Sequence, residues 1–107
     1  MDSQQAWRKI LDAIPADGRE LHTVPITKKQ PVWFAVNREL DLIWVTSASQ
    51  NSPSSILTLR RRLSFKKFNE ILPYFFRRAQ GESVSKEVCR LTMNQVYYFS
   101  LIEHILL

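Results

Sequence analysis

Val32-Trp33-Phe34-Ala35-Val36-Asn37 and Leu42-Ile43-Trp44-Val45-Thr46-Ser47 are two β-branched and aromatic runs, separated by the polar Asn37-Arg38-Glu39 and Asp41. Runs of this kind fit a pleated, half-buried surface, and their spacing predicts an antiparallel hairpin. Each is apolar at consecutive positions, so the sheet is expected to be covered on both faces or to offer one face as an interface. Upstream, residues 21–26 read as a first strand, placed at an edge or ended early by Pro25, before a basic turn at Lys28, Lys29 and Gln30. Downstream, residues 47–55 are the most polar and turn-rich stretch, expected as an exposed and mobile loop. Residues 56–63 then alternate Leu57, Leu59 and Leu63 against Ile56, Thr58, Arg60 and Arg62, the period of a last strand with one basic face. A short helix capped by Ser52, with Pro53 in its first turn, competes for that segment.

Helices are expected on either side of this sheet. Asp2 and Gln5 have capping-box spacing, with Ser3 the other candidate cap. Trp7, Ile10, Leu11 and Ile14 recur on one helical face, so a helix is expected over residues 3–14, ended by Pro15 and Asp17-Gly18. Ser64 caps the next helix, whose Phe65, Phe68, Leu72, Phe75, Phe76 and Ala79 keep helical spacing as far as Gly81. Pro73 either kinks it near Asn69 or divides it in two. Ser83 or Ser85 is a candidate cap for a short helical turn after Gly81, and Thr92 with Gln95 for the final helix. That last helix is apolar nearly all round, with a narrow polar stripe at Ser100, Glu103 and His104. It is therefore either deeply buried or shared with a second subunit, and Tyr98, Leu101, Ile102 and Ile105 are the candidate homodimer contacts. The resulting fold class is α+β: an N-terminal helix, a three- to four-stranded antiparallel meander, then two or three C-terminal helices packed on the sheet.

A chain of 107 residues holds one core rather than two, so residues 1–107 form a single domain. A hydrophobic share of 45% and an aromatic share of 11% supply the area to bury, which excludes a disordered chain. The single cysteine, Cys89, cannot form an intrachain disulfide and points to a reducing compartment. The opening residues carry an early acid and no basic-then-apolar run, and no apolar stretch approaches the roughly 20 residues that span a bilayer. A cytoplasmic location and no membrane partner are expected.

Charge is distributed unevenly. Residues 60–90 hold nine Lys or Arg against three acids, while the rest of the chain is close to neutral, so the whole excess of +5 sits in one segment. Arg60, Arg61, Arg62, Lys66, Lys67, Arg77 and Arg78 are the candidate nucleic-acid contacts, because cations converging on one surface track a phosphate backbone. The competing reading is a solvated face of an amphipathic helix, with Arg77 and Arg78 answering the helix dipole. Trp33 and Trp44 are candidates for a cross-strand pair that lines a small-molecule pocket or a base-stacking platform; core packing is the alternative.

Enzyme motifs are missing: there is no Gly-rich phosphate loop, no cysteine pair, no His-x-x-x-His and no Gly-x-Ser-x-Gly. No catalytic residue, metal or cofactor is expected. The one nuclease-like grouping has His22 as general base near Glu20, with the Arg60 to Arg62 cluster on phosphate.

From Arg62-Leu63-Ser64 through Phe68, Tyr74-Phe75, Arg77-Arg78 and Gly81 to Thr92, Asn94-Gln95-Val96-Tyr97 and the apolar terminal helix, the pattern resembles small bacterial proteins of unknown function, including orphan products of mobile gene cassettes. The likeness covers less than half the chain. It implies a compact bacterial accessory protein and carries no catalytic residues to transfer. The leading expectation is a non-enzymatic binding module with a basic face for nucleic acid. A small nuclease or toxin-like enzyme using His22, and a small-molecule binder using Trp33 and Trp44, are the alternatives.

Overall fold

The computed structural model describes residues 2–25 and 29–107. Asp2 caps helix α1 (Ser3–Asp12) through the expected capping box: its carboxylate accepts from the Gln5 N–H at 2.8 Å, and the Gln5 side chain accepts from the Asp2 N–H. Strands β1 (Arg19–His22), β2 (Trp33–Glu39), β3 (Leu42–Ser47) and β4 (Arg61–Leu63) form one antiparallel sheet in that order. Helices α2 (Phe65–Ala79), α3 (Ser85–Leu91) and α4 (Gln95–Leu101) come next, and α4 widens into a π-helical turn, Ile102–Leu106. The α+β class and element order are those expected.

Several boundaries differ. Strand β1 starts two residues early because Gly18, at φ 87°, lies against the Val36 carbonyl, where an added Cβ would come within 2.9 Å. The chain thus joins the ladder at Arg19 opposite Val36 and leaves it after His22. Ile26 of the expected strand and Lys28 of the expected turn lie outside the described residues. The hairpin is tighter than the polar spacer implied, since Glu39 pairs with Leu42 and only Leu40 and Asp41 remain in the turn.

Strand β4 is three residues long, not eight. The Trp33 N–H donates to the Pro53 carbonyl at 2.7 Å and the Ser55 N–H to the Trp33 carbonyl at 2.8 Å. Residues 53–55 are therefore docked on β2, and residues 56–60 must cross the end of β3 to reach its far edge. Ile56 and Leu59 are left 92% and 80% exposed, and only Leu57 turns toward the core. Neither the long strand nor the competing helix forms in residues 56–60. Loop 47–55 is also anchored, the reverse of the mobility expected of it. The Glu20 carboxylate accepts from the N–H groups of Ser49, Gln50 and Asn51 at 2.8 to 3.0 Å and from Asn51 Nδ2 at 2.9 Å.

Helix α2 is one continuous helix through Pro73. Ser64 caps it, and Gly81, at φ 93°, ends it: the Glu82 N–H donates to the Arg77 carbonyl and the Gly81 N–H to the Arg78 carbonyl, the paired bonds of a Schellman ending. The side chains proposed to cap α3 and α4 do not do so; Val84 and Asn94 occupy those positions without a side-chain bond, while Thr92 Oγ1 accepts from the Asn94 N–H.

Burial alternates along the strands. Leu21, Phe34, Val36, Ile43, Val45 and Leu63 are buried in one cluster with Trp7, Ile10, Leu11, Phe68, Ile71, Phe75, Tyr98, Leu101 and Ile102 from the helices. One sheet face is therefore covered, and the other, bearing Trp33, Ala35, Asn37, Trp44 and Arg62, stays half-exposed to exposed. Ser100 Oγ and His104 Nε2 both donate to the His22 carbonyl, at 2.6 and 2.9 Å, and so cap the last residue of the edge strand β1.

Candidate nucleic-acid interface

The open sheet face gathers part of the expected basic surface. Trp44 sits between Asn37 on β2 and Arg62 on β4, its direct cross-strand neighbours. The Arg60 guanidinium lies 3.8 Å from the centroid of the Trp44 ring. A contact of this kind is worth roughly 0.5–1 kcal/mol at an exposed site. Trp44 Nε1 beneath it is buried and has no hydrogen-bond partner, an unusual condition for an indole donor. Neither Arg60 nor Arg62 forms an ion pair among the described residues. Lys66 is exposed on the first turn of α2, just beyond β4.

The other proposed cations do not converge there. Alternation along β4 turns Arg61 to the helix side, where its Nη1 donates to Asn94 Oδ1 at 3.1 Å and its guanidinium faces the Tyr97 ring. Lys67 pairs with Glu70 at 3.3 Å. Arg77 is held by Glu87 at 3.0 Å and Glu82 at 3.2 Å, and these bonds raise its pKa above the ordinary arginine value. Arg78 donates to the Val24 carbonyl and lies over the Phe99 ring, and burial lowers its pKa, partly offset by the charge of Glu103.

The two tryptophans share the open face without being neighbours, which corrects the expected pair. Trp33 is opposite His22, and Trp44 is opposite Asn37, four residues further along β2. That spacing is about 13 Å. The proposed subunit contacts Tyr98, Leu101 and Ile102 are sealed in this chain's own core and offer no surface; Ile105 is half-buried against the same core.

The nuclease-like grouping is taken apart by strand order. His22 is on β1, opposite Trp33, whereas Arg61 and Arg62 are on β4 and Arg60 just before it, about 14 Å away across the sheet and offset further along the strands. His22 Nδ1 donates to the Thr23 carbonyl, and its ring is flanked by Trp33 and His104 at 5.1 and 4.5 Å. The Glu20 carboxylate is occupied by the loop and held at about 2, chiefly by the Ser49 N–H. It remains ionised and engaged at neutral pH. Among the described residues no cluster of three or more His, Cys, Asp and Glu side chains could hold a metal ion, and no helix is long and apolar enough to cross a membrane.

The contact of Arg60 with Trp44 escaped sequence reasoning, because Trp44 is on β3 and Arg60 lies just before β4, and the register between those strands is not written in the sequence. Alternation had already placed Arg60 with Arg62, and that was the usable signal. Fold and site together define a small α+β meander domain with one helix-covered sheet face and one open face carrying stacked arginine and tryptophan. Comparison of the chain with protein-family models, with curated proteins and with solved structures returns no match.

Proposed function

We propose that this chain is a non-enzymatic binding module that holds single-stranded nucleic acid across the open face of its sheet. The observation that carries it is the Arg60 guanidinium stacked on Trp44 beside Arg62, with no carboxylate paired to either arginine among the described residues. An indole face and a free guanidinium are the two groups that a single strand uses, one under a base and one on phosphate. On binding, a base replaces Arg60 over the indole, and Arg60 moves to the backbone with Arg62 and Lys66. The excess of cations in residues 60–90 favours approach of a polyanion.

Tryptophan fluorescence during titration with oligo-dT or oligo-U is the test. Binding is expected to quench emission and to weaken with salt, with a logarithmic slope of about 0.7 per phosphate contact. Trp44→Ala is expected to cost about 1–3 kcal/mol, the range for one stacked base. Arg62→Glu is expected to weaken binding and flatten the slope. No binding of either oligonucleotide at low salt overturns the proposal.

A further inference from the structure

Arg78, withdrawn from the open face, stands in a cleft of its own. The cleft encloses about 300 Å³ between the exit of β1 and helices α2 and α4, with apolar walls from Val24, Val32, Val96 and Phe99. That volume is at the lower end of small-molecule sites, which are mostly apolar with a few placed polar groups. A second lobe of about 540 Å³ joins it and shares Arg78, Lys29, Val96 and Phe99, so the guanidinium lies at the junction. Glu82 lines this second lobe, but its carboxylate is engaged by Arg77 at 3.2 Å.

A guanidinium has five N–H donors. Among the described residues Arg78 uses one side-chain donor, Nη2, on the Val24 carbonyl, and no carboxylate reaches it as an ion pair. The bond to Val24 and the Phe99 ring fix the group in place. A half-buried cation with spare donors, facing an apolar cleft, is complementary to a planar anion with a compact apolar body. Lys29 at the cleft adds a second positive charge.

We infer that this cleft binds a small monocarboxylate, its carboxylate bidentate on Arg78 and its aromatic or branched body against Val32, Val96 and Phe99. The site is separate from the open sheet face. Isothermal titration with benzoate, phenylacetate and 3-methylbutanoate tests it, against benzamide and inorganic phosphate as the neutral and the apolar-free probes. At least one carboxylate is expected to bind with a dissociation constant on the order of 0.1–1 mM, as suits about ten heavy atoms. Benzamide and phosphate are expected to bind at least about tenfold more weakly.

Arg78→Gln is expected to remove carboxylate binding. Because that change also alters the bond to Val24, Val96→Glu provides the second arm. Val96 is 45% exposed, so a longer side chain is accommodated, and the new carboxylate occupies Arg78 from within the chain. Loss of binding with an unchanged circular dichroism spectrum supports the site. Absence of carboxylate binding to the wild-type chain, equal binding of benzamide, or full affinity in Val96→Glu overturns it.

Discussion

Glu20 shows how one side chain can hold a segment that composition marks as loose. It accepts from three consecutive backbone N–H groups of the loop after β3 and from Asn51, and its pKa is lowered from 4.5 to about 2, mainly by the Ser49 N–H. A carboxyl with a depressed folded pKa contributes stability that is complete above its unfolded pKa and is lost as pH falls through the folded one. For Glu20 the window runs from about 4.5 down to about 2. Glu20→Gln is expected to lower the melting temperature at pH 7, since an amide offers one acceptor oxygen where two are used. Thermal unfolding scanned from pH 7 to pH 2 should show the gap to the wild-type chain narrowing through that window; a constant gap would mean that the carboxylate charge is not what holds the loop. Nothing in Ser-Ala-Ser-Gln-Asn-Ser-Pro-Ser-Ser announces this clamp. Its acceptor lies about 30 residues upstream on another strand, and only the register makes them meet.

At the scale of elements, the parts legible in sequence were those whose signals are local. The capping box of α1, the Ser64 cap and the Gly81 ending of α2 each lie within a few residues of the bonds they make. Strand limits were less legible, because Gly18 and Pro53 act on them through Val36 and Trp33, far away in sequence. The hairpin turn was hidden by Leu40, an apolar residue at φ 55° where glycine or asparagine is usual. Leu40 is 84% exposed, so little packing is lost on replacing it. Leu40→Gly is expected to stabilise the chain by about 1 kcal/mol in urea unfolding, as relief of the left-handed strain exceeds the added chain entropy. Pro73 gives a parallel case inside α2. It has no N–H to donate to the Asn69 carbonyl and is exposed, so Pro73→Ala is expected to add about 1–3 kcal/mol by the same measurement. A loss on Pro73→Ala would mean that helix curvature set by the proline is required to seat Phe75 and Ile71.

At the scale of the whole molecule, the apolar last helix has two ways to be covered, and burial favours the internal one. Tyr98, Leu101 and Ile102 are at most 1% exposed within a single chain, and the Tyr98 hydroxyl accepts from the Ser64 N–H and donates to the Ser64 carbonyl. Placing these residues at a subunit interface would first require α4 to leave the sheet and expose Phe34 and Leu63 beneath it. β1 is four residues long and its last carbonyl is taken by Ser100 and His104, and β4 at the other edge is three residues long with two arginines, so both edges are short and poor templates for a second sheet. The Cα radius of gyration of 13.1 Å matches the roughly 13 Å of a compact single chain of this length. Light scattering behind gel filtration is therefore expected to give the 12.6 kDa monomer mass, unchanged as concentration rises into the hundreds of micromolar. A mass near twice that value would instead point to contacts through Ile105, Leu106 and the 72% exposed Leu107. Ile105→Asp would then restore the monomer, whereas the same substitution in a chain that is already monomeric changes stability and leaves mass alone.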